Sequence, residues 1–120
     1  MTYTCAIVED EPLAEKMLRK YVSRVSFLEL SWTCTYAEEA VRLMEQTKVD
    51  ILFLDLQDAL INPDSSFWHL VTHHNHVVVT SPYPAEALDV PLPVMAFLHK
   101  PIPFAHFITA VEKFLVSPGN

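Results

Sequence analysis

The stretch "VDILFLD", residues 49–55, decides the fold. Its centre is an unbroken run of large apolar residues, "ILFL", and Asp55 follows that run directly. A strand with one face in water alternates apolar and polar side chains, whereas this one points apolar side chains to both faces. The pattern predicts a central strand of a parallel sheet that is covered on both faces.

Other short apolar segments alternate with helical ones on either side of this strand. The predicted strands are "CAIV" (5–8), "LELSWTCTY" (28–36), "VDILFLD" (49–55), "VVVT" (77–80) and "VMAFLH" (94–99), and the predicted helices are "PLAEKMLRKYVSRV" (12–25), "AEEAVRLMEQ" (37–46), "FWHLVTHH" (67–74), "PAEAL" (84–88) and "PFAHFITAVEKFL" (103–115). Strands that alternate with helices form parallel sheets with helices on both faces. We therefore predict a single doubly wound α/β domain with five strands.

Side-chain patterns within these segments give more detailed expectations. The second strand is predicted to place four residues on one face: Leu28, Leu30, Trp32 and Cys34. Pro12 suits the first turn of the first helix, where its missing N–H does no harm. The two cysteines of the chain, Cys5 and Cys34, lie in strand-like segments, which predicts buried thiols and favours a cytoplasmic setting, with a disulfide between them as the alternative.

Composition limits the classes of function. The chain has 120 residues, of which 51% are hydrophobic, so it can bury one core. We expect the domain to span residues 1–116, and residues 117–120 to begin a linker or a C-terminal tail. No apolar run approaches the roughly 20 residues of a membrane span, and the start does not resemble a signal peptide. A net charge of −7 argues against direct binding of nucleic acid.

Polar residues follow the predicted strands at the points where they end. Glu9 and Asp10 follow the first strand, Asp55 ends the third, and Lys100 follows the fifth. Because the carboxyl ends of parallel strands meet at one edge of a sheet, these groups should lie together. Carboxylates suit a hard divalent cation, a lysine suits a phosphoryl group, and a strand-end carboxylate can itself act as a nucleophile.

Three stretches resemble the receiver domain of bacterial two-component response regulators: "AIVEDEPLA" (6–14), "DILFLDLQ" (50–57) and "LHKPIPFAHFITAVEKF" (98–114). Regulators of the LytTR type are the most similar, through the "DEPLA" start and the "KPI-F--F--AV" ending. The resemblance implies a flavodoxin-like sheet with strand order 2-1-3-4-5. It also implies a signalling domain rather than an enzyme, which assists its own phosphorylation and dephosphorylation.

The resemblance assigns roles to the acidic residues. Asp55 matches the aspartate that accepts the phosphoryl group. Glu9 and Asp10 match the acidic pair that holds Mg²⁺ together with Asp55, and the backbone carbonyl of Gln57 would be a further ligand. On the residues alone, the acidic pair could instead be ordinary acids at a helix start, and Glu11 more naturally interacts with the positive end of that helix.

The remaining roles fall on the fourth and fifth strands. Lys100 matches the lysine that contacts the phosphoryl group, and the peptide before Pro101 is cis in the family. Ser81 matches the switch hydroxyl that contacts the phosphoryl group, with Thr80 as the alternative. Phe97 matches the aromatic switch residue, against the alternative that it is plain core.

The implied partners are a sensor histidine kinase or a phosphotransfer protein, with homodimerisation open. DNA would be bound only through a possible output domain that is absent from this chain. Membrane contact is not expected.

Two departures from the family pattern keep a second function open. Asp58 adds negative charge where the family has an apolar residue. If Ser81 is the switch residue, Pro82 lacks the backbone N–H that contacts the phosphoryl group in the family, whereas if Thr80 is the switch residue, Ser81 supplies that N–H. The alternative is therefore a pseudo-receiver that binds other proteins without taking phosphate. A third class, a flavin carrier or unrelated enzyme on the same sheet, is set aside because "EDEPLA" is acidic and has no phosphate-cradling glycine.

Overall fold

A computed structural model describes residues 2–55, 76–84 and 94–116. Its elements are β1 (Tyr3–Val8), α1 (Pro12–Ser23), β2 (Leu28–Cys34), α2 (Ala37–Gln46), β3 (Ile51–Asp55), β4 (Val77–Ser81), β5 (Ala96–His99) and α3 (Phe104–Leu115). The helix predicted at 67–74, most of that predicted at 84–88, and the tail predicted at 117–120 lie outside the described residues.

The strands form one parallel sheet with the order β2-β1-β3-β4-β5. This confirms the predicted flavodoxin-like topology. The chain moves outward from β1 to β2 and then returns to the other side of β1 for β3. In such sheets ligands bind beyond the carboxyl ends of the strands, where the direction of winding reverses. The crevice between the ends of β1 and β3 is therefore the expected site.

The sheet has a hydrophobic core on each face. One core packs the sheet against α1 and α3, and the other packs it against α2. β3 contributes to both, since Ile51 and Phe53 belong to the first core while Leu52 and Leu54 belong to the second, and all four are fully buried. Phe53 stacks on Phe107 of α3 with 5.3 Å between ring centroids. The unbroken apolar run therefore reflects a strand with no solvent-facing side.

The edge strand β2 contains a bulge that the sequence pattern did not predict. Cys5 of β1 pairs with Leu30, whereas the next residue, Ala6, pairs with Trp32, so Ser31 is an extra residue in the ladder. The four residues predicted to share one face therefore divide. Those before the bulge pack in the α1/α3 core, and those after it pack in the α2 core. The prediction of a single face was wrong because it assumed an uninterrupted alternation.

The described helices begin and pack largely as their sequences indicate. α1 begins at Pro12, as predicted, and buries Ala14, Leu18 and Val22 at helical spacing. α3 buries Phe107 and Val111, among others, on the same side of the sheet. Within the described ranges, no helix has both the length and the apolar character that crossing a membrane requires.

The two cysteines are free and buried, as predicted. Burial raises the pKa of Cys5 from 9.0 to about 12. Burial also raises the pKa of Cys34 to about 12, where the charge of Glu39 adds to the rise and a hydrogen bond with the backbone of Tyr36 opposes it. Both thiols are therefore neutral in the folded protein at physiological pH.

This burial predicts slow alkylation. At pH 8 the folded protein should react with iodoacetamide far more slowly than the same protein in urea, because the thiolate is the reactive form.

Since the folded pKa values of about 12 exceed the unfolded value of 9.0, stability should fall as the pH rises from 9 towards 12. Labelling followed by mass spectrometry, and urea unfolding at several pH values, measure both effects. Equal labelling of folded and unfolded protein would contradict the prediction.

Candidate functional site

Three carboxylates meet at the carboxyl ends of β1 and β3. Glu9 and Asp10 directly follow β1, and Asp55 is the last residue of β3. One carboxylate oxygen from each lies within 4.8 Å of those of the other two. Glu9 is 3% and Asp55 5% exposed, while Asp10 lies closer to solvent. The predicted clustering therefore occurs, and its donors are the hard oxygen atoms that Mg²⁺ prefers.

Lys100 enters this acidic pocket from the end of β5. Its Nζ lies 2.8 Å from Oε1 and 3.0 Å from Oε2 of Glu9, and 3.5 Å from Oδ1 of Asp55. Burial alone would lower the pKa of Lys100, but the hydrogen bond to Glu9 and the neighbouring carboxylate charges, that of Asp55 first, raise it above 10.5. The lysine is therefore a permanent positive charge in the pocket.

Glu9 is the main partner of this lysine in the structure. Both of its carboxylate oxygens contact Lys100, and Oε2 also accepts a hydrogen bond from the backbone N–H of Glu11 at 3.2 Å. A fully buried carboxylate is stable only with such compensation. The three adjacent acids thus differ in surroundings: Glu9 is tied to the lysine, Asp10 faces the pocket mouth, and Glu11 supplies a backbone donor.

Two hydroxyl groups flank the pocket at the end of β4. Thr80 is the direct neighbour of Asp55 in the β3–β4 register and is 1% exposed. Among the described residues its hydroxyl oxygen has no hydrogen-bond partner. Ser81 is also buried, and its Oγ accepts a hydrogen bond from the backbone N–H of Tyr83 at 3.0 Å. Both predicted candidates for the switch hydroxyl are therefore buried at the end of β4, and Thr80 is the one paired with Asp55.

The alternation of β4 and β5 separates the two hydroxyls by face. Thr80 lies on the same side of the sheet as Val78, the α1/α3 side, whereas Ser81 lies on the same side as Val79, the α2 side. Phe97 of β5 is the register partner of Val79 and therefore also lies on the α2 side. Ser81 and Phe97 thus share a face, whereas Thr80 shares its face with Asp55, its partner in β3. Phe97 is 40% exposed and belongs to neither of the described core clusters, and its role as a switch stays a prediction.

The backbone around Lys100 is held from two directions. Its N–H donates to the carbonyl of Ser81 at 2.7 Å, and the hydroxyl of Tyr21 donates to the carbonyl of Ile102 at 2.7 Å. The peptide between Lys100 and Pro101 is cis, as the resemblance implied. The contribution of Tyr21 was not predicted, because nothing in the sequence of the first helix distinguishes it from a packing residue.

Not every predicted site residue can be placed. Gln57, the expected carbonyl ligand, and Asp58, the unexpected charge, lie outside the described residues. Pro82 is described, and it puts no donor between Ser81 and Tyr83. Where the described strands end, the Lys100 ammonium group and three carboxylates therefore meet in one crevice, and Thr80 lies beside Asp55 at its edge.

Comparison with known proteins agrees with this architecture. No protein-family model matches the chain. A stretch of 51 residues is 39% identical to the transcriptional regulatory protein BtsR of Escherichia coli K12, and it covers 42% of this chain and 21% of BtsR. The match thus extends over about a fifth of the length of that curated relative.

Solved structures match over almost the whole chain. The response regulatory domain of MrkE from Klebsiella pneumoniae has a TM-score of 0.77 and 21% identity, covering 94% of this chain and 95% of that one. A double mutant of the anti-anti-sigma factor PhyR from Bartonella quintana has a TM-score of 0.77 and 20% identity, covering 97% of this chain and 49% of that one. The fold of this chain is therefore that of response-regulator receiver domains.

The ion pair in the pocket predicts a strong energetic coupling. Lys100→Met should lower the free energy of unfolding by about 3–5 kcal/mol at neutral pH, because it leaves buried carboxylates without their cation. The double variant that combines Lys100→Met with Glu9→Gln should lose less free energy of unfolding than the two single variants lose in sum, by at least about 1 kcal/mol, since the two residues act as a pair. Urea unfolding of the four proteins measures the coupling.

An exposed ion pair in the same protein serves as the control. Arg19 and Glu15 of α1 are 3.2 Å apart, with side chains 56% and 26% exposed. Solvent screens such a pair, so Arg19→Ala should change stability by less than about 1 kcal/mol. Additive effects of Glu9→Gln and Lys100→Met would show that the pocket is not organised by this contact.

Proposed function

We propose that residues 1–116 form a phosphoacceptor receiver domain of a cytoplasmic two-component response regulator. Asp55 takes a phosphoryl group from a sensor histidine kinase or a phosphotransfer protein, and the change is passed to an output surface. The observation that supports this most is the placement of Asp55 in a buried pocket between two further carboxylates and Lys100. An ordinary strand-end aspartate needs no such surroundings.

The reaction follows from the groups at hand. A carboxylate oxygen of Asp55 attacks the phosphorus of a phosphohistidine, so that a P–O bond forms and the P–N bond breaks. The imidazole nitrogen of the donor keeps the electron pair of the broken bond. Negative charge on the transferring group must be offset within the pocket, and Lys100 is already charged and 3.5 Å from Asp55.

The carboxylate trio fits Mg²⁺. Asp10 and Asp55 would hold the ion, with the carbonyl of Gln57 as an expected further ligand, and bound Mg²⁺ would neutralise charge on the transferring phosphoryl group. Glu9 is engaged by Lys100 through both oxygens. We infer that Glu9 joins the metal site as Lys100 turns from it towards a phosphoryl oxygen.

Output follows from the shared face of Ser81 and Phe97. The Ser81 hydroxyl would donate to the phosphoryl group, with Thr80 as the alternative donor, and Phe97 would change rotamer in response. The exposure of Phe97 leaves it accessible to a partner or to a second copy of the chain. On the LytTR-type likeness, DNA would be contacted only through a further domain outside this chain.

A second candidate is a pseudo-receiver that binds proteins without being phosphorylated. Pro82 removes a backbone donor, and the next N–H, that of Tyr83, is already directed at Ser81. One of the similar solved structures, PhyR, is an anti-anti-sigma factor. In that case the acidic pocket and Lys100 would serve only to organise the sheet edge.

Beryllium fluoride distinguishes the two candidates, because with Mg²⁺ it stands in for the phosphoryl group. Added to the labelled protein at millimolar concentration, it should shift the amide signals of Asp55, Ser81 and Lys100 in NMR spectra. The shifts should require Mg²⁺ and disappear in Asp55→Asn, which removes the acceptor carboxylate.

Asp50→Asn is the matched control. Asp50 directly precedes the first residue of β3, at the end of the strand opposite Asp55. Its Oδ2 accepts a hydrogen bond from the Thr4 N–H, and the side-chain oxygen of an asparagine could accept the same bond. This variant should respond like the wild type. A wild-type protein without any Mg²⁺-dependent response would favour the pseudo-receiver.

A further inference from the structure

Lys100 reaches its partners by crossing a strand. It follows β5, whereas Asp55 ends β3, and β4 lies between these two strands in the sheet. Its Nζ nevertheless lies 3.5 Å from Oδ1 of Asp55 and 2.8 Å from Oε1 of Glu9, which follows β1 on the far side of β3. The lysine side chain therefore passes over the carboxyl end of β4.

Thr80 is the β4 residue at this level of the sheet. It pairs with Asp55 in β3 and with Leu98 in β5. Leu98 belongs to the α1/α3 core, as does Phe53, which lies two residues before Asp55 and so on the same face of β3. Thr80 and Asp55 are therefore neighbours on that face, and the lysine that contacts Asp55 crosses β4 beside Thr80.

The hydroxyl of Thr80 is buried and unused in the resting pocket. Thr80 is 1% exposed, and among the described residues its Oγ1 has no hydrogen-bond partner. A buried hydroxyl without a partner costs free energy, and native proteins keep few of them. The Lys100 ammonium group is engaged instead by the carboxylates of Glu9 and Asp55.

Occupation of the pocket would change this balance. In the proposed function Glu9 joins the metal site while Lys100 turns to a phosphoryl oxygen, so the ammonium group gives up the carboxylate that it contacts through both oxygens. An ammonium group has three N–H donors, and in a buried site each needs an acceptor. The lone pairs of Thr80 Oγ1 are the acceptors that the resting pocket leaves unused beside Asp55.

We propose that Thr80 is a positioning residue that accepts a hydrogen bond from Lys100 in the phosphoryl-bound state. Its hydroxyl has no partner while the lysine is paired with Glu9 and gains one when the lysine turns. Thr80 therefore favours the bound arrangement over the resting one. The inference rests on the proposed phosphoacceptor function, and it gives Thr80 a role other than direct donation to the phosphoryl group.

A titration with beryllium fluoride in the presence of Mg²⁺, followed by amide NMR, tests this role. Thr80→Val keeps the branched shape and removes the hydroxyl, so it should weaken the apparent affinity about five- to tenfold, where tenfold corresponds to about 1.4 kcal/mol. Thr80→Ser keeps the acceptor and should stay within about threefold of the wild type. Thr109→Val, which removes an exposed hydroxyl that donates to the Ala105 carbonyl in α3, should leave the affinity unchanged.

Urea unfolding of the free protein separates this role from ordinary structural support. Because the hydroxyl has no partner in the resting pocket, Thr80→Val should leave the midpoint of unfolding unchanged or raise it. A variant that lowers the midpoint and the affinity together would overturn the proposal, since Thr80 would then support the resting fold.

The side-chain ammonium signal of Lys100, identified by its absence in Lys100→Arg, reports the contact itself. With Mg²⁺ and beryllium fluoride bound, the wild type should protect this ammonium group from hydrogen exchange, and saturated Thr80→Val should protect it less. Weaker binding with unchanged protection would mean that Thr80 donates directly to the bound group, and would overturn the proposal. Wild-type affinity in Thr80→Val would also overturn it while leaving the phosphoacceptor function intact. A wild-type protein that does not respond to beryllium fluoride would overturn both.

Discussion

A fully buried carboxylate requires a compensating positive charge. For Glu9 this is the ammonium group of Lys100, which comes from the far side of the sheet. Glu9 follows β1, Lys100 follows β5, and β3 and β4 lie between these strands. The contact of 2.8 Å therefore closes over the ends of the two central strands. Asp55, at the end of β3, has its Oδ1 3.5 Å from the same lysine nitrogen. The arrangement of the whole carboxyl edge depends on this one pair, because neither partner is stable there alone.

The same pair links the resting pocket to its proposed use. Lys100 cannot keep its full ion pair with Glu9 while its ammonium group also lies close to a phosphoryl oxygen. Occupation of the site would therefore redistribute the contacts of groups on β1, β3 and β5 together. A change at the pocket would reach β5, where Phe97 lies on the exposed side. In the proposed function, electrostatic compensation would thus provide a physical route from the buried site to the surface.

Much of this architecture could be predicted from local patterns in the sequence. The apolar run of β3 indicated burial on both faces, and the position of polar residues at strand ends indicated where they would gather. Such inferences succeed because strand direction and sheet topology fix where strand ends lie. The roles of Glu9, Asp10, Asp55 and Lys100 in phosphoryl transfer stay predictions, which the proposed titrations address.

Other features depend on contacts that no local pattern encodes. Tyr21 reaches Ile102 across 81 positions of the chain, and His99 reaches Pro82 across 17. In the sequence, nothing distinguishes Tyr21 from an ordinary packed tyrosine, or His99 from an ordinary surface histidine. The bulge at Ser31 is equally hidden, because one extra residue in a ladder leaves the apolar alternation unchanged while reversing which face it occupies.

That bulge has a consequence for how copies of this domain meet one another. β2 is an outer strand of the sheet, and a regular outer strand offers unpaired backbone groups on which another chain can add a strand. An extra residue bends the strand and increases its twist, so the free groups no longer lie in one straight row. Glu29 and Ser31 are exposed along this edge, and Glu29 adds negative charge there. An irregularity of this kind makes edge-to-edge pairing of β2 with another strand less favourable.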